Sequence, residues 1–158
     1  MLDKNSVSNR KEFEYELLEF AELQRIDGPT RFYVTPEGKK YPSVTAVLGK
    51  MTDKSGLEAW RKRVGETEAA RVSARASTRG TNVHTMCENY VLGSDIDTSM
   101  PHNMMMFNQI KKVLDEKVDM VRATECMLFS NHLKLAGSCD LIADYDGRLS
   151  IIDYKTSA

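Results

Sequence analysis

The sequence predicts one α+β domain in which helices come first and a mixed, largely antiparallel sheet follows. Apolar residues recur at helical spacing through much of the first two thirds of the chain. Three later segments are rich in β-branched and apolar residues, which indicates strands. The 158 residues are enough to bury one core, and no repeat, low-complexity tract or linker divides them. We therefore expect a single domain over residues 1–158.

The first part of the chain predicts helices interrupted by one small hairpin. In Lys11–Arg25 apolar residues recur at helical spacing with glutamates between them, and Asp27-Gly28-Pro29 ends the pattern. The hairpin pairs Arg31–Val34 with Lys39–Tyr41 across a Thr-Pro-Glu-Gly turn. The further predicted helices are a short one capped by Ser43 and running through Leu48, then Lys54–Arg63, Glu66–Arg79, Thr81–Leu92 and Pro101–Val118.

The last part predicts a meander of three strands, Val121–Phe129, Leu135–Tyr145 and Arg148–Tyr154. Asp146-Gly147 is a strong signal for a two-residue hairpin turn. That turn pairs Tyr145 with Arg148 and, continued along the ladder, sets Asp140 opposite Asp153. Two carboxylates about 4.5–5.5 Å apart at Cβ repel each other, and a hard divalent cation between them would remove the repulsion.

Other charged residues are expected to join this pair. Lys155 lies two residues beyond Asp153 and therefore on the same face, which continues through the apolar Ile142 and Ile151. Glu125 joins that face opposite Ser138 if the connection over residues 130–133 is a symmetric turn, whereas a bulge would reverse it. The alternative is that these acids form ordinary solvated surface, because the Asp-x-Lys spacing also arises by chance.

Two further features lie on the predicted helices. His84 and Glu88 are four residues apart and so share a helix face. Arg71, Arg75 and Arg79 repeat at the same spacing and form a basic stripe with few acids nearby. A solvated helix surface explains either feature, but a metal-binding imidazole and a phosphate-binding stripe are the functional alternatives.

Composition excludes several classes of protein. The net charge of −1 indicates no particular partner, and no apolar run approaches the roughly 18 residues of a membrane span. The N-terminal 20 residues are rich in glutamate, unlike a secretory signal or a transit peptide, so we expect a cytoplasmic protein without a membrane partner. Three cysteines without a Cys-x-x-Cys motif argue against a disulfide framework and against a four-cysteine metal site.

Several runs together resemble the PD-(D/E)XK nuclease superfamily, in the branch of RecB-like phage exonucleases and the mitochondrial genome-maintenance exonuclease. The runs are Tyr41-Pro42-Ser43-Val44-Thr45 with Trp60, Arg79-Gly80-Thr81-Asn82-Val83-His84, Glu125, Ala136-Gly137-Ser138-Cys139-Asp140 and Ile151-Ile152-Asp153-Tyr154-Lys155-Thr156-Ser157. The resemblance spans residues 41–157. It implies a restriction-endonuclease-like core and hydrolysis of DNA phosphodiesters, by an exonuclease of DNA processing, recombination or repair.

The resemblance also assigns roles. His84, Asp140, Asp153 and the backbone carbonyl of Tyr154 would bind Mg²⁺ or Mn²⁺. The catalytic set would be Asp140, Asp153, Lys155 and Glu125, although the role of the acid at the position of Glu125 varies in the family. Thr156 and the stripe of Arg71, Arg75 and Arg79 would contact DNA, with single-stranded DNA as one candidate form. The place of action would be the cytoplasm of a bacterial or phage-infected cell.

The chain departs from the family in two ways. It lacks the cysteine set of the iron–sulfur relatives, and it stops at Ala158, where the family continues with further strands and a helix bearing Gln-x-x-x-Tyr. We therefore expect the Arg148–Tyr154 strand to lie at a sheet edge and to be covered in a homodimer or by a complementing C-terminal polypeptide. The rival interpretations are a non-catalytic DNA-binding or assembly fragment and, last, a zinc module using His84 and Cys87.

Overall fold

The structure is a computed structural model that describes residues 10–156. Its helices are α1 (Val44–Met51), α2 (Ser55–Val64), α3 (Glu66–Val91) and α4 (Pro101–Lys117). Its strands are β1 (Glu14–Tyr15), β2 (Gln24–Ile26), β3 (Phe32–Val34), β4 (Lys40–Pro42), β5 (Val118–Ser130), β6 (Leu135–Tyr145) and β7 (Arg148–Ile152). Four strands form a sheet in the order β1-β5-β6-β7, and β2, β3 and β4 form a second sheet. The predicted α+β class with a mixed sheet is confirmed.

The described residues form two compact units. One comprises residues 10–18, 73–125 and 140–156, and the other comprises residues 19–72 and 126–139. The single domain expected over the whole chain stays a prediction. Within the described ranges, none of the helices combines the length and the apolar character that crossing a bilayer requires.

The β6–β7 hairpin has the register that the sequence predicts. Asp146 and Gly147 both have positive φ, 48° and 74°, as a type I′ turn requires. Tyr145 therefore pairs with Arg148, and the ladder continues to Leu141 opposite Ile152. The ladder ends there, so β7 is two residues shorter than expected. Asp140 and Asp153 would be the next pair, but Asp153 lies beyond the end of β7, so the two are not paired.

The expected helix over Lys11–Arg25 is wrong. Glu14–Tyr15 pairs with β5 in parallel, and Gln24–Ile26 pairs with β3. The amide groups of Glu16 and Leu18 donate to β5 carbonyls at 3.0 and 2.8 Å. Several of the apolar residues that suggested a helical stripe remain exposed, such as Leu17 at 69%. Backbone pairing with existing strands therefore outweighs the local periodicity.

The remaining helices follow the prediction with one change. The segments on either side of Gly80 form one continuous helix, α3, which begins after Gly65 (φ 86°) and ends before Gly93 (φ 76°). Gly80 lies next to Thr156, since a Cβ at position 80 would be 3.4 Å from the Thr156 hydroxyl, in van der Waals contact. The predicted cap is confirmed, since the Ser43 hydroxyl accepts from the Ala46 amide at 3.1 Å.

In the first unit, α3 and α4 contribute to one core with the four-stranded sheet. Tyr90 lies at its centre and packs edge-on against Phe13 and Phe107, with ring centroids 5.7 and 5.5 Å away. The Tyr90 hydroxyl donates to Asp115 at 2.6 Å and accepts from the Lys11 amide at 3.0 Å. The other buried members include Val83, Met86, Cys87, Val91, Leu114, Val118, Val121, Leu141 and Ala143. This packing sets the rotation of α3 about its axis.

The second unit has a smaller apolar cluster on the three-stranded sheet. Its buried members are Leu23, Tyr33, Tyr41 and Ala136. Tyr41 stacks on Phe129 at a centroid separation of 6.4 Å, and its hydroxyl donates to Asn131 at 2.6 Å. The predicted hairpin of β3 and β4 is confirmed by the pairing of Tyr33 with Tyr41.

The type I′ turn generates a stability prediction. Replacing Gly147 with alanine should lower the free energy of unfolding by about 1–2 kcal/mol, because an L-residue is strained at positive φ. Gly49→Ala is the matched control. Gly49 lies inside α1 with open space around its Cβ position, so alanine there should stabilise the chain by up to about 1 kcal/mol. Urea unfolding of both variants measures the difference, and equal stabilities would contradict the turn geometry.

Candidate metal centre

Three side chains from three elements converge in the first unit. His84 lies on α3, Glu125 on β5 and Asp140 on β6, and each offers a ligand atom within 4.8 Å of the other two. One imidazole nitrogen and two carboxylates form a mixed nitrogen and oxygen donor set, which suits a divalent cation such as Mn²⁺ or Mg²⁺. The structure therefore brings together three of the residues that the sequence selected.

The Asp140 carboxylate is held from two sides. Its Oδ2 accepts a hydrogen bond from the Tyr154 backbone N–H at 2.6 Å, and its Oδ1 lies 3.3 Å from His84 Nδ1. The side chain of Asp140 is only 14% exposed, so solvent competes weakly for these contacts. The orientation of the carboxylate is therefore set before any ligand arrives.

His84 is positioned by the core of α3. Its neighbours Val83, Met86 and Cys87 are buried in the core. The face of α3 that carries His84 is therefore turned toward Asp140 on β6. The ring packs edge-on against Tyr154, with centroids 5.6 Å apart and planes at 90°. The Tyr154 ring is itself buried, and burial raises the pKa of its hydroxyl well above the usual value. Tyr154 therefore contributes a neutral apolar wall beside the imidazole.

Glu125 has an unusual backbone for a strand residue. Its φ is 46°, in the left-handed region, although it lies within β5. Such a conformation costs on the order of 1 kcal/mol for a residue with a Cβ. Partial burial and the carboxylates of Asp140 and Glu88 raise the pKa of Glu125, and His84 opposes them. The chain thus holds a strained acid against like charges, which is a common property of functional sites.

The partner expected for Glu125 stays a prediction, although the turn on which that expectation depended lies elsewhere. The β5–β6 turn occupies residues 131–134, one position later than assumed. Glu125 also has a left-handed φ, and its carboxylate lies with Asp140 and His84. No local sequence signal predicts that conformation for a glutamate. Glu88, which the sequence placed on the His84 face without a role, contributes to the charge around Glu125.

Asp153 and Lys155 lie outside this group of three. Lys155 Nζ is 2.5 Å from Asp153 Oδ2, and both side chains are more than half exposed. They line the end of an apolar groove of about 250 Å³ beside Ile110 and Leu114 of α4. Their placement differs from the expectation because β7 ends at Ile152, so cross-strand pairing no longer sets the register beyond it. The roles of Asp153, Lys155 and the Tyr154 carbonyl stay predictions.

The apolar face that carries Ile142 and Ile151 is only partly buried. Ile142 is buried, but its partner Ile151 is 65% exposed and Leu149 is 64% exposed. The reason is that β7 is the edge strand of the four-stranded sheet.

The basic stripe lies on α3 as predicted, with its members in different environments. Arg71 Nε donates a hydrogen bond to Glu68 Oε2, one helical turn away, at 2.8 Å. Arg75 is exposed. Arg79 Nη1 lies 3.1 Å from His102 Nε2, and its buried Nε has no hydrogen-bond partner. Thr156 lies close to Gly80 on the same helix. Surface ion pairs contribute little, so the pairing of Arg71 does not prevent phosphate binding.

Comparison with known proteins indicates a relationship to a nuclease. Over 125 residues, the chain is 29% identical to mitochondrial genome maintenance exonuclease 1 of Homo sapiens. The match covers 73% of this chain and 36% of the human protein, so the chain spans about a third of that relative's length. No family model matches the chain.

The site generates a binding prediction. His84→Ala, Glu125→Gln and Asp140→Asn should each weaken Mn²⁺ binding by on the order of tenfold or more, since removing a direct ligand should cost at least as much as removing an outer-shell partner. Asp97→Asn is the control, because Asp97 is an exposed acid bonded to Ser99. Calorimetric titration measures the affinities. Equal affinities for the three variants and the control would show that the group binds no cation.

The stripe generates a second prediction. The triple variant Arg71→Ala, Arg75→Ala and Arg79→Ala should bind DNA more weakly, with a salt dependence flatter by about one unit of slope per lost phosphate contact. A triple variant of the exposed Lys50, Lys112 and Arg148 removes the same charge elsewhere and should keep the original slope. Fluorescence anisotropy over a series of salt concentrations gives both slopes. Identical slopes in the two variants would make the stripe ordinary solvated surface.

Proposed function

We propose that this chain carries the centre of a Mg²⁺- or Mn²⁺-dependent deoxyribonuclease of exonuclease type, which acts in DNA processing, recombination or repair. The observation that carries the proposal is the convergence of His84, Glu125 and Asp140 on one point. The relationship to an exonuclease, over most of this chain, supports the same chemistry.

The residues present fit a divalent cation. Asp140 Oδ1 is aimed toward His84 by the Tyr154 hydrogen bond, and Glu125 adds a second carboxylate under like-charge repulsion. A cation held by His84, Glu125 and Asp140 would offset that repulsion, and the nitrogen donor makes Mn²⁺ at least as suitable as Mg²⁺. When bound, the ion would supply Lewis-acid stabilisation of the phosphate and lower the pKa of a water molecule.

The chain's own groups would supply the remaining chemistry. Lys155 has a largely exposed ammonium group whose pairing with Asp153 is a surface ion pair, worth about 0–1 kcal/mol. It can therefore leave that partner and donate to negative charge on a phosphate oxygen. The basic side chains of α3 would bind the flanking phosphates, and Thr156, beside Gly80, would place a hydroxyl near them.

A second candidate is a non-catalytic DNA-binding or assembly fragment that needs another polypeptide. One specific observation favours it: β7 lies at the sheet edge, and Leu149 and Ile151 are exposed on it. An exposed edge with apolar side chains invites pairing, either in a homodimer or with a complementing C-terminal segment. A monomer of this chain would then cut DNA poorly.

A nuclease assay separates the two functions. With Mn²⁺, the wild-type chain should shorten end-labelled single- or double-stranded DNA, and chelation of the metal should stop it. Asp140→Asn and Lys155→Ala should each lower the rate by about a hundredfold, in the range known for lost transition-state stabilisation. Asp97→Asn should leave the rate unchanged. Light scattering on the same samples gives the mass of the active species.

The alternative function gives a different pattern. DNA binding without cleavage, in wild-type and variant chains alike and in both monomeric and dimeric fractions, would overturn the nuclease proposal. Cleavage confined to a dimer, or restored by an added C-terminal polypeptide, would show that the edge of β7 must be covered for activity.

A further inference from the structure

Two thiols face each other across neighbouring strands. Cys126 lies on β5 and Cys139 on β6, and their sulfur atoms are 3.2 Å apart. A disulfide bond is about 2.05 Å long, so the sulfurs need to approach by only about 1.2 Å, which side-chain rotation together with a small movement of the two strands can provide. The two strands are already hydrogen-bonded neighbours and are joined by a short turn over residues 131–134. The two neighbouring strands therefore hold the two sulfur atoms close to bonding distance.

The third thiol provides a contrast. Cys87 lies in the core with 0% exposure, and its burial raises the pKa of the thiol to about 12. Cys126 is only partly buried, and Cys139 is at 9% exposure. Because thiol exchange needs access to the sulfur, Cys126 is the group that a small reagent reaches first.

We propose that Cys126 and Cys139 form a redox-sensitive dithiol, oxidised by small-molecule disulfides such as glutathione disulfide. The Cys126 thiolate attacks one glutathione sulfur, forms a mixed disulfide and releases one glutathione thiolate. The Cys139 thiolate then attacks the Cys126 sulfur and releases the second glutathione. The two cysteines lose two electrons and two protons in total, and glutathione disulfide takes up both to become two glutathione molecules.

The position of this pair gives the bridge a consequence, which rests on the proposed function. Cys126 directly follows Glu125, and Cys139 directly precedes Asp140. Drawing the two sulfurs together changes the backbone beside Glu125, which already has a left-handed φ of 46°. Metal ligands tolerate little displacement, so the bridge shifts Glu125 and Asp140 relative to His84 and weakens cation binding.

Oxidation of the full chain by excess glutathione disulfide tests the bridge itself. Intact mass should fall by two hydrogen atoms, and proteolysis should release the Cys126 and Cys139 peptides as one linked product. Cys87 should react with an alkylating reagent only after denaturation. Cys139→Ser should stop at the mixed disulfide with glutathione, and Cys126→Ser should form no bridge. Absence of the linked product in the wild type, or linkage of Cys87, would overturn the proposal.

The effect of the bridge on the site is first measured by NMR, at fixed pH and without metal. The His84 imidazole resonances, assigned by comparison with His84→Gln, should shift on oxidation of the wild type but not of Cys139→Ser. Affinity for Mn²⁺ should fall by about fivefold or more in the bridged chain. Unchanged His84 resonances after complete bridging would overturn the coupling. A reduced chain that binds no Mn²⁺ would instead overturn the proposed function, while the mass and resonance results would still decide the inference.

Discussion

The candidate site depends on one hydrogen bond, from the Tyr154 backbone N–H to the Asp140 carboxylate. It forms just beyond the last backbone pair of the β6–β7 ladder, Leu141 with Ile152, and so continues the hairpin through a side chain. A bond to a charged, mostly buried acceptor is stronger than a neutral one, on the order of 1.5–3 kcal/mol. It aims one carboxylate oxygen toward His84 and at the same time fixes the chain that carries Asp153 and Lys155.

The opposite wall of the site depends on the core of the first unit. His84 can face Asp140 only because Val83 and Cys87 on either side of it are fully buried, which leaves α3 one rotation about its axis. Tyr90 maintains that rotation two turns further along, where its hydroxyl joins Asp115 to the amide of Lys11. The geometry of the imidazole is therefore a consequence of packing and hydrogen bonds that include no site residue.

The parts that the sequence predicts are those set by short-range geometry. A two-residue turn at Asp146-Gly147 determines every later pair in its hairpin, and a serine before an amphipathic run determines where α1 begins. The expectation was wrong where distant partners decide the outcome. Glu14–Tyr15, inside the expected helix, pairs instead with β5, a strand that is distant in the sequence. Glu125 has a left-handed φ that none of its neighbours in the sequence requires. The placement of Asp153 departs from expectation where the ladder ends, because extrapolated register then has no physical basis.

The backbone conformation of Glu125 and the electrostatics of its carboxyl group are both unfavourable. A left-handed glutamate within a strand costs free energy. Burial of the carboxyl group, and after it the carboxylates of Asp140 and Glu88, raise the pKa of Glu125, so the ionised form carries a further cost. His84 offsets only part of that repulsion. A neutral glutamine at this position would avoid the like-charge repulsion. A cation bound by the same carboxylates would offset the repulsion, and this is the chemical reason for proposing the cluster as a cation-binding site.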